Sequence, residues 1–281
     1  MKAALKAGLK SCVNMLVKAM GSTPMGRYLY GRILLIAMDQ SISVLHGGVK
    51  LKFCTPNALN RYRANTFSTK EPETLEWLDA IPEGAILWDV GANVGLYACY
   101  AAKARHARVF AFEPSVFNLE LLARNIYSNS ITNLVTIVPL PLSETMAMSK
   151  LNMTSTDWGG AMSTFDQSYG HDGKPMNKVF EIPTIGLSMV DAVQLLKIQR
   201  PNYIKMDVDG IEHLILKGGM AVLREVSEIL IEINDKFSAQ SDDASKYLRE
   251  AGLTLKEKRH ADYFDNDPGA ARHTFNQIWT R

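Results

Sequence analysis

The segment Ala85-Ile86-Leu87-Trp88-Asp89-Val90-Gly91-Ala92-Asn93-Val94-Gly95 constrains this chain more than any other. An apolar run ends near an acid, turns through two glycines and opens into Leu96-Tyr97-Ala98-Cys99-Tyr100-Ala101-Ala102. That order is a buried strand, a tight turn and a helix N-terminus, the opening of a β-α-β unit that docks a cofactor. A second apolar strand, Arg108-Val109-Phe110-Ala111-Phe112, ends at Glu113. An acid about twenty residues past the glycine turn is spaced to meet ribose hydroxyls, so the pair points to an adenosine-containing cofactor. A dinucleotide site wants G-x-G-x-x-G against its pyrophosphate, whereas this turn opens on Asp89 and has Asn93 where the second glycine would stand. An acid there repels a pyrophosphate and suits the ammonium of a methionine moiety, which favours S-adenosyl-L-methionine over NAD.

At 281 residues, 47% hydrophobic and 21% charged, the chain can bury one large core. A formal net charge of +2, with no basic run interleaved with aromatics, argues against a nucleic-acid partner. Cys12, Cys54 and Cys99 are widely spaced. They suggest neither a disulfide framework nor a zinc site, and the expected location is cytoplasmic. The division expected is an N-terminal accessory segment over 1–60, an amphipathic helix plus a short hairpin, followed by a cofactor-binding domain over 61–281. In the accessory part Lys2, Lys6 and Lys10 recur every fourth residue while Leu5, Leu9, Val13, Leu16 and Met20 share another face. Such a basic helix packs on the domain or makes peripheral membrane contact through residues 1–20. Asn14 and Lys18 interrupt any apolar run long enough for a span or a secretory leader.

Further along, strands are expected at 44–53 (a hairpin through Gly47-Gly48), 85–90, 108–112, 135–140, 203–209 and 228–234, with helices between. Two terminal strand-like pieces, 253–258 and 274–280, are expected to form an antiparallel hairpin turning through 265–269. The alternation argues for a mostly parallel sheet with helices on both faces. It lapses over 144–200, an excursion long enough to carry a lid or binding loop. The segment 203–209 is unusual for a central parallel strand, because Lys205, Asp207 and Asp209 interrupt its apolar residues. Asp207 is the candidate to orient or deprotonate an acceptor; an ion pair of Lys205 with Asp207 or Glu232 is the structural alternative. Glu212 opens the next helix as a second catalytic candidate, with His213 beside it. Asp207, Asp209, Glu212 and Asp235 could also gather at a divalent ion, although their spacing matches no defined metal loop.

Three blocks in order, Trp88 to Tyr97, Ala111-Phe112-Glu113-Pro114 and Ile204-Lys205-Met206-Asp207-Val208-Asp209-Gly210-Ile211-Glu212, resemble the FkbM-type methyltransferases. Ile229-Leu230-Ile231-Glu232 looks like the strand that follows in that family. The resemblance covers about 66–255. It implies a class I, seven-stranded, S-adenosylmethionine-dependent O-methyltransferase with a Rossmann-like fold, acting on a hydroxyl of a glycan or secondary metabolite. The cofactor set it implies is Asp89, Gly91, Ala92, Asn93, Gly95 and Glu113, with Leu142 and Ser143 flanking the adenine. Asp207 and Glu212 face the acceptor, and the loop of Trp158, Gly159 and Gly160 covers it. Asp209 stands where the family usually has glutamate. Two alternatives remain from other classes: an NAD-dependent Rossmann oxidoreductase, which Glu113 would serve equally well, and a non-catalytic cofactor-binding subunit.

Overall fold

A computed structural model describes residues 2–260 and 270–281; the turn expected at 265–269 lies outside them. The chain begins with two helices, α1 (Lys2–Gly21) and α2 (Pro24–Asp39). A hairpin of β1 (Ser41–His46) and β2 (Val49–Cys54) follows, then α3 (Ala58–Asn65) and α4 (Pro72–Ala80). The central alternation is β3 (Ile86–Val90), α5 (Leu96–Arg105), β4 (Arg108–Phe112), α6 (Val116–Ser128) and β5 (Val135–Val138). An excursion holds β6 (Ala147–Met153), β7 (Ser163–Phe165) and β8 (Phe180–Gly186) before α7 (Met189–Leu195). The chain closes through β9 (Tyr203–Met206), α8 (Glu212–Lys217), α9 (Met220–Leu223), β10 (Glu228–Asn234), α10 (Ser238–Glu250), β11 (Thr254–Arg259) and β12 (Thr274–Thr280).

Seven strands form one sheet in the order β5-β4-β3-β9-β10-β12-β11. The first five are parallel to one another, and β12 runs antiparallel to both β10 and β11. This is the expected class I Rossmann-like architecture, with its antiparallel C-terminal pair. Helices on both faces bury the central strands completely, so the apolar clusters divide by strand alternation. Trp88, Val90, Ile204 and Met206 join one cluster, and Leu87, Val109, Ala111 and Leu230 the other. The chain leaves β3 outward through β4 and β5, then returns to lay β9 on the other side of β3. The crevice therefore opens at the carboxyl ends of β3 and β9, where open α/β sheets bind ligands.

The hairpin of the N-terminal segment packs against the main domain, with Leu51 and Phe53 fully buried in the cluster beneath α5. Two departures from the sequence reading have local causes. Residues 147–186, read as loop, form a three-stranded antiparallel sheet in the order β7-β6-β8. Only one end of β6 is buried, so no regular alternation marks it. The helix expected between the strands at 203–209 and 228–234 breaks at Gly218-Gly219; a Cβ on Gly218 would lie 2.1 Å from the Glu144 carbonyl oxygen.

Candidate active site

The glycine turn after β3 is built from left-handed backbone. Gly91, Asn93 and Gly95 have φ of 86°, 50° and 80°. A Cβ on Gly91 would meet the Asp207 carbonyl oxygen at 1.9 Å, so only glycine lets β3 and β9 splay around this crevice. The turn's own donors are spent inside the protein. The N–H groups of Gly91 and Ala92 both donate to the Phe112 carbonyl at 3.0 Å, and that of Gly95 to the Ala92 carbonyl at 2.8 Å. The Asn93 N–H donates to Glu113 Oε2 at 2.8 Å, and the Val94 N–H to Asn93 Oδ1 at 2.9 Å. Five consecutive amides are thus satisfied, which leaves a wall rather than an anion cradle.

A cavity of ≈ 250 Å³ runs along this wall. Its lining includes the apolar side chains Phe112, Leu140, Leu142 and Ile211 and the carboxylate of Glu113. Glu113 is 5% exposed, and its Oε1 accepts from the Ser115 N–H at 2.8 Å. Burial outweighs these donors and pushes its carboxyl up to about 7. Oε1 also accepts from the Asn118 side-chain amide at 3.4 Å, whereas Oε2 has the Asn93 N–H alone and keeps a lone pair for a ribose hydroxyl. The lining also holds five further acids, Glu71, Glu73, Asp207, Asp209 and Glu232, and the cations Arg63 and Lys70. A crevice with apolar walls and an excess of acids fits a cationic adenosyl group and disfavours a pyrophosphate.

Asp207 lies just past the end of β9, one-third exposed, with Oδ2 3.3 Å from Lys205 Nζ. Burial raises its carboxyl, but Lys205 and Lys70 outweigh burial and hold it below the usual range. Asp209 has the opposite balance: burial and the Asp207 charge push it up to about 7. Its Oδ2 accepts from the Met162 N–H at 2.7 Å and the Ser163 N–H at 3.2 Å. Burial, Asp207 and Glu71 drive the Glu232 carboxyl well above the usual carboxylate range.

Of the residues expected from sequence, Gly91, Asn93, Glu113, Leu142 and Asp207 line the cavity, whereas Ala92, Gly95 and Ser143 do not. Ser143 donates its hydroxyl to the Thr145 carbonyl at 2.7 Å. Two placements differ from the expectation. Asp89 points away from the cavity, 3.9 Å from Lys205 Nζ and 1% exposed, because alternation along β3 puts it on the face opposite Trp88 and Val90. Lys205 therefore bridges Asp89 and Asp207, where the sequence suggested Asp207 or Glu232. Glu212 also misses the cavity: its carboxylate accepts from the N–H groups of Val208 and Gly210 and from Gln240, closing the loop after β9. His213 is buried beside Phe237, and burial lowers its pKa. No group of three or more metal-ligating side chains occurs among the described residues, so the four acids considered for a divalent ion do not gather.

The loop of Trp158, Gly159 and Gly160 joins β6 to β7, and its carbonyls are clamped from several elements. Asn57 and Asn60 donate to the Trp158 carbonyl at 2.9 and 2.7 Å. Arg63 gives two bonds to Gly159 O at 3.1 and 2.7 Å. Asn93 and Asn118 meet on Gly160 O at 2.9 and 3.1 Å. Sequence reasoning missed Arg63 and Asn118, which carry no motif of their own. The one available signal was the cluster of amides near the turn, Asn93 with Asn118 and Asn125.

This fold and crevice define a Rossmann-like domain of the class I methyltransferase type. Residues 89–255 match the methyltransferase FkbM domain, and the chain belongs to that family of S-adenosylmethionine-dependent methyltransferases. It is 29% identical over 185 residues to the hexuronic acid methyltransferase AglP of Haloferax volcanii, covering 64% of this chain and 67% of that protein. Among solved structures, the methyltransferase FkbM of Methylobacillus flagellatus is 17% identical with a TM-score of 0.47. That match covers 72% of this chain and 44% of the other, so this chain spans less than half of that relative's length. A Streptococcus mutans protein provisionally assigned as a SAM-dependent methyltransferase shares the fold at 9% identity, with a TM-score of 0.51 over 86% of this chain and 55% of its own. The family membership separates the chain from the oxidoreductase and scaffold alternatives.

Proposed function

We propose that this protein is an O-methyltransferase that takes its methyl group from S-adenosyl-L-methionine and delivers it to a hydroxyl of a glycan or similar polyhydroxylated acceptor. The observation that carries the reading is the crevice itself. Its turn has no amide to spare for a pyrophosphate, and its lining joins apolar side chains to six acids against two cations. When bound, the cofactor supplies an electrophilic methyl, so the protein has mainly to align an acceptor oxygen and exclude water.

In this reading Glu113 accepts the ribose hydroxyls, and Gly91 with Asn93 walls the methionine side. Leu142 lies against the adenine, with Ser143 beside it. Asp207, kept ionised by Lys205 and Lys70, accepts a hydrogen bond from the acceptor hydroxyl and orients it. Asp209, with its carboxyl pushed up to about 7, is matched to take the proton as the oxygen attacks. The clamped loop at 158–160 covers the acceptor. The acid excess favours a neutral hydroxyl over a carboxylate, and both cations already have partners in the protein: Arg63 on Gly159 O and Lys70 on Glu71.

A hexuronic acid offers both a hydroxyl and a carboxyl, so the archaeal relative supports a sugar acceptor without choosing the oxygen. Incubation with labelled S-adenosylmethionine and a panel of neutral and acidic sugars tests the choice. Label that survives mild base is an ether on a hydroxyl, as expected; label released by base is a methyl ester and refutes it. Calorimetry with S-adenosylhomocysteine and NAD tests the cofactor independently, with binding of the first alone expected.

A further inference from the structure

We propose that α1 and α2 form a docking arm for the surface of an anionic lipid bilayer. Both helices stand away from the body. Thirteen large apolar side chains between Leu9 and Ile36 are exposed, and in α2 only Gly26 and Met38 are buried. Met25, Leu29, Ile33 and Ile36 recur along one line of α2 with exposures of 45–68%. Apolar surface on this scale, concentrated in one short stretch, marks an interaction site.

The occupant follows from charge and length. Residues 2–38 hold six cations, Lys2, Lys6, Lys10, Lys18, Arg27 and Arg32, and no acid. The whole chain is only +2, so the body behind the arm is net acidic. Two such arms repel each other, and an acidic body is repelled by an anionic membrane; only the arm suits that surface. No described helix is long and apolar enough to cross a membrane. At 16 residues, α2 spans about 24 Å, short of the roughly 30 Å hydrocarbon core. The arm therefore lies in the interface with its apolar side in the lipid. Its root is tied to the active site: Met38 packs with Cys54, Val94 and Leu121, and Trp158 of the covering loop packs against the same cluster. Docking the arm thus holds the acceptor loop close to the bilayer.

The test is co-sedimentation of the full chain with phosphatidylcholine vesicles, with and without phosphatidylglycerol. The expected result is recovery on anionic vesicles at least roughly tenfold above neutral ones, reversed by molar salt. The variant Leu29→Ser/Ile33→Ser/Ile36→Ser keeps its melting temperature, because those side chains are exposed, and loses vesicle binding. Lys10→Glu/Lys18→Glu keeps residual binding but loses the preference for anionic lipid. Failure of the unaltered chain to sediment with anionic vesicles overturns the proposal. So does a lipid-free dimer by light scattering that the triple variant converts to monomer without changing vesicle recovery, since a second copy would then own the surface.

Discussion

Replacing Lys205 by methionine isolates the charge network beneath the active site. Lys205 is 3% exposed and Asp89 2%. Burial lowers the lysine's proton affinity, but Asp207 and Asp89 outweigh it and hold its pKa above the ordinary range. Besides Lys205, the Ala98 backbone amide favours the ionised Asp89 carboxylate. Burial raises the Asp89 carboxyl, and the Lys205 charge opposes that rise. At the 3.9 Å separation and an effective dielectric of about 20, the attraction is roughly 4 kcal/mol. Without the lysine, Asp89 can avoid stranding its charge only by binding a proton. Neutralising an aspartate of ordinary pKa about 3.9 at pH 7 costs about 4 kcal/mol, within the ~3–5 kcal/mol seen when one member of a buried pair is removed. For a chain of 281 residues that lowers the melting temperature by roughly 5–9 °C.

The pH dependence has a definite sign. In Lys205→Met the folded Asp89 pKa lies further above its unfolded value, so the native state binds more protons than the unfolded one. Stability then falls as pH rises, by about 1.4 kcal/mol per unit above roughly pH 4. The deficit relative to the parent is therefore small at pH 4–5 and largest at neutral pH. Adding Asp89→Leu removes the stranded acid and restores most of the loss, since a buried pair replaced by apolar groups is often neutral. Denaturant unfolding at pH 5 and 7 measures both effects, and calorimetry with S-adenosylhomocysteine on the folded double variant separates Asp89 from the cofactor. A Lys205→Met variant as stable as the parent at pH 7, or no rescue by Asp89→Leu, refutes the argument. Cofactor affinity lost in a stable double variant would return Asp89 to the cofactor site.

Glu113→Gln should weaken S-adenosylhomocysteine binding by about 1.5–3 kcal/mol, the range for hydrogen bonds to a charged group. Because binding uses the ionised carboxylate, whose pKa is about 7, parental affinity should fall from pH 8 to pH 6 and the variant's should not. Gly91→Ala forces a side chain into left-handed backbone and against the Asp207 carbonyl, so little folded, ligand-binding protein should be recovered by gel filtration. At saturating cofactor, Asp209→Asn should lower turnover by about 10²–10⁴-fold and abolish the activity limb near pH 7; an unchanged limb would move the proton elsewhere. Asp207→Asn, if it loses an orienting contact, should raise KM for the acceptor as well as lower turnover per folded molecule.

The glycine turn, Glu113 and the central sheet were legible in the sequence because their signals are local. An apolar run between glycines is a buried strand whatever surrounds it, and the distance from Gly91 to Glu113 is set by one helix and one strand. What could not be read depends on partners remote in sequence. Arg63 matters because its guanidinium reaches Gly159 O, 96 residues away, and Asn118 because it meets Gly159 and Gly160 across 41 and 42 residues. The helix α2 escaped notice because its unbroken apolar run from Ile33 to Met38 blurs the helical period. Glu212 is the instructive case. An acid at a helix start suits a ligand or the helix dipole equally well in sequence. Here the amides of Val208 and Gly210, together with Gln240 from α10, occupy it, so it builds the loop that carries Asp207 and Asp209. Asp207 and Asp209 reach the cavity because β9 ends at Met206 and Asp209 adopts a φ of 61°, a break in the strand that alternating residues alone would not suggest. The acids of this segment thus divide by backbone conformation: those past the end of the strand face the cavity, and the one that starts the next helix holds them there.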